Sequence, residues 1–429
     1  MKITVLNSGN RAELIELLKS RNAGSVEKQS AVVADIIARV RQDKDRAVFA
    51  LEKELDHCDI TPLNIRVSRE EIDRAYSEVG PELTAAMRHA ADNIRRFHEK
   101  QKENSWITVE DGIMLGQKVT PMYSSGCYVP GGRAAYPSSV LMNIIPAKVA
   151  GVERIIVCTP PQPDGSINPG TLAAADIAGA DEIYRAGGAV AIAAMAYGTE
   201  SIPKVDIITG PGNIYVALAK KQVFGDVGID SVAGPSEILV IADKTADPRY
   251  VAADLLSQAE HDPMASAILL TTSTELAEQV LKEIDAFLEI LSRRGIIEAS
   301  LRDYGHIFVS EDMDEVIDAA NAIASEHLEI LTEQPLEIMS RIRNAGAIFM
   351  GPYSSEPLGD YFAGPNHILP TGGTARFFSP LGVDTFVKKS SLISYSKEAL
   401  GRIHEEIELF AESEGLTAHA NSIKVRFDR

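Results

Sequence analysis

Val205-Asp-Ile-Ile-Thr-Gly-Pro-Gly-Asn-Ile-Tyr-Val-Ala-Leu-Ala-Lys-Lys-Gln-Val-Phe224 holds a short apolar run, a glycine-punctuated turn and an apolar stretch at helical spacing. That order predicts a strand over 205–208 and a helix over 213–224. The same texture extends both ways. Upstream, strands are expected over 155–158 and 182–184, and helices over 171–178 and 189–197. Downstream, strands are expected over 238–241, 267–271 and 306–309, near Leu328 and over 347–349. Helices are expected between them, over 248–260, 274–293 and 313–324. Alternation of this kind means βαβ units on parallel sheets, because parallel neighbours need a crossover connection.

The flanks read differently. Residues 25–55 place Val32, Val33, Ile36, Ile37 and Val40 at helical spacing. Ser68-Arg-Glu-Glu71 is a capping-box start, and Pro81 opens a helix to about residue 102. A hairpin is expected from Trp106-Ile-Thr-Val, the turn Asp111-Gly112 and Ile113-Met-Leu. From Lys397 the chain reads as two helices broken at Gly415. The expected class is α/β: two Rossmann-like parallel-sheet domains with a helical N-terminal part and a small helical tail.

With 429 residues, at roughly 100–200 per domain, two to four domains are expected. Forty-two basic and 61 acidic side chains give a formal charge of −19. This excludes a nucleic-acid binder, which needs a basic surface. Aromatics make up 6% and Trp106 is the single tryptophan, so a base-stacking platform is not expected. Cys58, Cys127 and Cys158 are too few and scattered for a disulfide framework or a thiolate metal site. The N-terminus lacks a signal-peptide core, and the least charged stretch, 186–199, is too short to span a bilayer. A cytoplasmic protein is expected, with no membrane contact.

Six segments carry candidate chemistry. Pro130-Gly131-Gly132 and Gly210-Pro-Gly-Asn213 follow expected strands, and the second opens a helix suited to an anion. Neither is GxGxxG, and both also read as plain tight turns. Gln258 and His261 are three apart at a helix end, a face for a metal or for a helix-dipole partner. Glu326-His327 joins a carboxylate and an imidazole whose ordinary pKa values differ by about two units, an acid/base pair or an exposed helix end. It lies where a helix gives way to a strand, opposite to the usual carboxyl-end crevice. Pro357-Leu-Gly-Asp360 through Gly364-Pro-Asn-His367 is a loop carrying Asp360 and His367. Glu414 and His419 flank the break at Gly415, where both could equally be solvated. One carboxylate, two imidazoles and an amide oxygen would suit Zn²⁺, with Mn²⁺ or Co²⁺ as substitutes.

The ordered motifs Gly126-Cys-Tyr-Val-Pro-Gly-Gly132, Val205 to Asn213, Ala233-Gly-Pro-Ser-Glu237, Gln258-Ala-Glu-His261, Glu326-His-Leu-Glu329, Gly359-Asp-Tyr361, Gly364-Pro-Asn-His367 and Glu414-Gly-Leu-Thr-Ala-His419 resemble the histidinol dehydrogenase family. The resemblance runs through essentially the whole chain. It implies a zinc-dependent, NAD-linked oxidation of L-histidinol to L-histidine through L-histidinaldehyde, the final steps of histidine biosynthesis. By motif it assigns Glu326 and His327 as catalytic, and Gln258, His261, Asp360 and His419 as ligands of one zinc per subunit. Ser236, Gln258, His261, His327, Asp360, His367, Glu414 and His419 would surround the substrate, with Tyr128 and Asn213 at NAD. It further implies a homodimer with shared active sites. The domain expectation is 1–24 packing with the C-terminal part; 25–127 plus 237–380 carrying most of the zinc and catalytic residues; 128–236 for NAD; and 381–429 reaching the partner subunit.

The chain departs from the family at Gly187-Gly-Ala-Val190, where Gln usually stands at the last position, so one side-chain bond to NAD is expected to be lost. Cys127, where an aliphatic residue is common, is expected only to pack. Two rivals follow. A paralogous dehydrogenase for another small alcohol, such as a sulfonated diol, is opposed by Glu414, which would repel an anion. A non-catalytic metal- or nucleotide-binding protein would lack the acid/base pair, and Glu326 and His327 are both present.

Overall fold

The computed structural model describes residues 1–21, 26–131 and 136–427. Gly132 of the first glycine turn and Ser25, the expected start of a helix, fall outside them. The strands are, in chain order, β1 (Ile3–Val5), β2 (Trp106–Glu110), β3 (Ile113–Pro121), β4 (Ser124–Tyr128), β5 (Arg154–Thr159), β6 (Glu182–Arg185), β7 (Ile207–Thr209), β8 (Gly228–Ile229), β9 (Glu237–Ala242), β10 (Ser266–Thr271), β11 (Gly305–Val309), β12 (His327–Leu331), β13 (Ala347–Met350) and β14 (Val387–Tyr395). The chain forms two units, Met1–Gln101 with Met122–Phe386, and Lys102–Pro121 with Val387–Arg429.

The larger unit contains both parallel sheets. One runs β6-β5-β4-β7-β8 and the other β1-β11-β10-β9-β12-β13. Each has helices on both faces, so its central strands are enclosed: β5, β9 and β10 are buried along almost their whole length. The helices of residues 26–99, expected beside the second sheet, pack instead on the first. Val33, Ile36, Val40 and Leu51 join one of its faces with Ile192 and Val216. Met87, Ala90 and Ile94 join the other with Val140 and Leu172.

Three local expectations needed correction. Residues 25–55 are not one helix: Val26–Asp43 and Asp45–Leu55 are split at Lys44, whose φ is 54°. Its ammonium donates to the carbonyls of Tyr197 and Gly198, at 3.1 and 2.9 Å, and so satisfies the carbonyl end of the helix Gly188–Tyr197. The helix expected over 274–293 ends at Leu288, and a separate helix covers Arg294–Tyr304. Ile3–Val5, read as part of a helical segment, is an edge strand on β11. No helix among the described residues is long and apolar enough to cross a membrane.

The smaller unit is built around the expected hairpin β2–β3, extended by β14 to an antiparallel sheet ordered β14-β3-β2. The short helices Lys397–Gly401, His404–Ser413 and Thr417–Lys424 follow, three where two were expected, with Gly415 at φ 73° breaking the last pair.

Candidate active site

In the first sheet the strand order reverses at β4, so the crevice lies between the carboxyl ends of β4 and β7. Tyr128 ends β4, is buried, and its hydroxyl accepts the Gly188 N–H at 3.1 Å. Gly210 follows β7 at φ 116°, and a Cβ there would fall on the Tyr128 carbonyl. A buried pair fixes this glycine: its N–H donates to Asp230 at 2.8 Å and its carbonyl accepts from the Lys220 ammonium at 2.9 Å. Lys220 and Asp230 are themselves ion-paired. Asn213 is exposed and its Oδ1 caps the helix Ile214–Val223. Val190 is buried among the core of that half, and so is Cys158; Cys127 is buried too, its thiol pushed up to about 12 by burial.

The second sheet uses its other edge. Glu326 and His327 stand at the amino end of β12, beside the first residue of β9. The N–H of Glu237 donates to Glu326 Oε2 at 2.9 Å, and its carbonyl accepts from His327 Nδ1 at 3.0 Å. A carbonyl can only accept, so Nδ1 carries the proton and Nε2 holds the free lone pair. That Nε2 is buried with no hydrogen-bond partner among the described residues. Burial pushes the His327 ring down to about 4, helped by His367 and His261. Burial also drives Glu326 well above the usual carboxylate range, with Glu237, Asp360 and Glu356 adding to the effect. The imidazole is therefore neutral near pH 7, with Nε2 as its free acceptor.

Beside the pair lies the short helix Glu356–Tyr361. One ligand atom each from His327, Glu356 and Asp360 falls within a mutual 4.8 Å. Glu356 accepts from the Ser257 hydroxyl at 3.0 Å and its own N–H donates to Glu329 at 2.8 Å. Burial and Asp360 raise Glu356 to about 7, and burial raises Asp360 to about 6. Gln258, next along from Ser257, is buried with an unpartnered Oε1. His261, one turn on, is exposed, with its N–H bonded to the Gln258 carbonyl at 3.1 Å. The unpartnered Oε1 of Gln258 and the carboxylates of Glu356 and Asp360 are oxygen donors that a divalent cation would satisfy, which leaves His327 Nε2 free for a proton. Of the expected ligands, Asp360 is in this cluster. Glu356 is new, although its spacing of four from Asp360 was a readable signal of one helix face.

His367 has both ring nitrogens occupied. Nδ1 donates to the Asp360 carbonyl at 3.0 Å, and Nε2 accepts from the Ser139 hydroxyl at 3.0 Å. Ser139 is in the first turn of the helix Pro137–Ala150, whose Asn143 donates to the carbonyls of Tyr128 and Thr209 at 3.1 and 3.3 Å. The amino edge of the second sheet thus meets the carboxyl edge of the first across this helix. That resolves the unusual placement of Glu326-His327. Ser236 is half-buried just before β9, its carbonyl accepting from Ser266 at 3.0 Å. Glu414 and His419 belong to the smaller unit and are exposed there, Glu414 as the C-cap of His404–Ser413 and His419 within Thr417–Lys424.

A family profile described as histidinol dehydrogenase matches residues 19–427. The histidinol dehydrogenase of Halalkalibacterium halodurans is 56% identical over 429 residues, covering 100% of this chain and 99% of that one. That of Bacillus subtilis is 55% identical over 428 residues, covering 99% of each. Among solved structures, the crystal structure of histidinol dehydrogenase from Elizabethkingia anophelis superimposes with a TM-score of 0.94 at 40% identity, over 99% of this chain and 98% of that one.

Proposed function

We propose, from the premise that the chain belongs to the histidinol dehydrogenase family, that it oxidises L-histidinol to L-histidine in two successive NAD-linked steps with zinc bound. The observation that carries this is the free lone pair of His327 Nε2 beside Glu326. His327 takes the alcohol proton in the first oxidation. Glu326 then removes a proton from the water that adds to L-histidinaldehyde, and His327 takes a proton from the resulting gem-diol in the second. Each such transfer is worth about 10²–10⁴ in rate.

Gln258, His261 and Asp360 would hold zinc, with His419 supplied by a second copy of the chain in a homodimer. Zinc would template the substrate's amine and imidazole nitrogens, and NAD, between Tyr128 and Asn213, would receive the electron pairs. Glu414, brought to the site with His419 by the second copy, would favour a cationic substrate and repel an anionic diol. NADH formation with L-histidinol, lost on chelation and restored by zinc, is the expected result. No NADH from fully zinc-loaded protein would refute the reading.

A further inference from the structure

We propose that Arg21 and Glu237 form a buried positioning pair that sets the orientation of Glu326 and His327 through the main chain of Glu237. This rests on the reading of those two residues as the acid/base pair. Both peptide groups of Glu237 are committed to them: its N–H to Glu326 and its carbonyl to His327 Nδ1. Any rotation of this one residue therefore moves the water-activating carboxylate and changes the tautomer of the imidazole together.

The side chain of Glu237 is what fixes it. It is 2% exposed and ion-paired to Arg21, which is 6% exposed. Arg21 closes the helix Ser8–Ser20; its Nε donates to the Leu18 carbonyl of that helix at 3.3 Å and its Nη1 to the distant Met264 carbonyl at 3.0 Å. Its guanidinium lies over the Tyr304 ring at 5.6 Å. An enclosed ion pair of this kind adds little net stability over apolar residues of the same volume. What it does supply is one charge-assisted bond, Nη2 to Oε1, from a guanidinium whose Nη1 and Nε are already tied to the Met264 and Leu18 carbonyls, so the carboxylate is held in one place. Arg21 is far from the pair in sequence and belongs to none of the motifs that carry the catalytic residues.

The test uses the full-length, zinc-loaded enzyme, comparing Arg21→Met, Arg21→Lys and Glu237→Gln with Leu18→Ala. The last loosens the same helix by removing a buried side chain while leaving the ion pair in place. Arg21→Met should lower kcat about ten- to a hundredfold, since a shift near 1 Å at a catalytic group costs about that much. KM for L-histidinol and bound zinc should stay within about twofold. Arg21→Lys should recover part of kcat, because an ammonium can pair with Oε1 but cannot also hold the Met264 and Leu18 carbonyls. In ¹⁵N-histidine-labelled, metal-free protein, the Nδ1–H form of His327 should give way to a tautomer mixture in Arg21→Met.

Equal loss of kcat in Arg21→Met and Leu18→Ala, at matched loss of unfolding midpoint, would make the pair merely structural and overturn the proposal. An unchanged His327 tautomer would overturn it as well. If Arg21→Met does not fold, unaltered kcat in both Arg21→Lys and Glu237→Gln overturns it too. Wild-type kcat in Glu326→Gln and His327→Asn would instead remove the acid/base reading, and the positioning role with it.

Discussion

The hydroxyl of Ser139 lies 3.0 Å from Nε2 of His367, and through this bond the helix behind the first sheet reaches the cluster on the second. His367 is half-buried and pushed down to about 4, chiefly by its loss of solvent, so it is neutral and its Nε2 can only accept here.

Ser139→Ala should therefore leave that nitrogen unpaired, at a cost of about 1–3 kcal/mol. The expected signs are a lower unfolding midpoint and a raised KM for L-histidinol, with kcat changed less. A KM equal to that of the wild type would show that the Ser139–His367 bond does not shape the substrate site.

Glu326→Gln should slow oxidation of L-histidinaldehyde by about 10²–10⁴ while sparing alcohol oxidation, if Glu326 serves water activation alone. Single-turnover assays starting from each substrate read the two half-reactions. Equal losses would sink the division of labour.

Glu356 offers a pH test in metal-free protein. Its folded pKa, about 7, lies above the ordinary 4.5, so between these values the folded state keeps a proton that the unfolded chain has lost. Its contribution to stability is present below 4.5 and is lost as pH rises through about 7. Wild type should thus lose ground to Glu356→Gln between pH 4.5 and 7, by at most about 3 kcal/mol. His327 and His367, both pushed down to about 4, act in the opposite sense but equally in both proteins. Parallel denaturant midpoints across that window would refute the burial argument.

Lys220→Met strips the buried Asp230 of its cation and the Gly210 carbonyl of its donor. Losing one partner of a buried pair costs about 3–5 kcal/mol. KM for NAD should rise with it, because the glycine loop between β7 and the following helix loses its clamp. An unchanged KM for NAD would separate that loop from the cofactor.

Shared active sites predict complementation. His327→Ala and His419→Ala, each inactive alone, should regain roughly a quarter of wild-type activity when their chains are mixed at random. Half the dimers are then mixed, and each has one intact site in two. No recovery would place His419 in its own chain's site.

The sequence alone determined the parallel α/β class, because strand and helix periods are local and survive without any partner. Its glycine turns marked the carboxyl ends of β4 and β7, and its spaced motifs carried the family. Only the tertiary structure put Ile3–Val5 against β11 and β14 against β3. In Val387-Lys-Lys-Ser-Ser-Leu-Ile-Ser-Tyr395 every residue is partly or fully exposed, so no alternation of burial announces the strand. Backbone pairing with a segment far away in sequence decides it. The site divides in the same way. Glu326-His327 is legible as a pair of residue types. That one main-chain residue, Glu237, orients both, and that Arg21 holds Glu237, depends on hydrogen bonds between segments that only folding brings together.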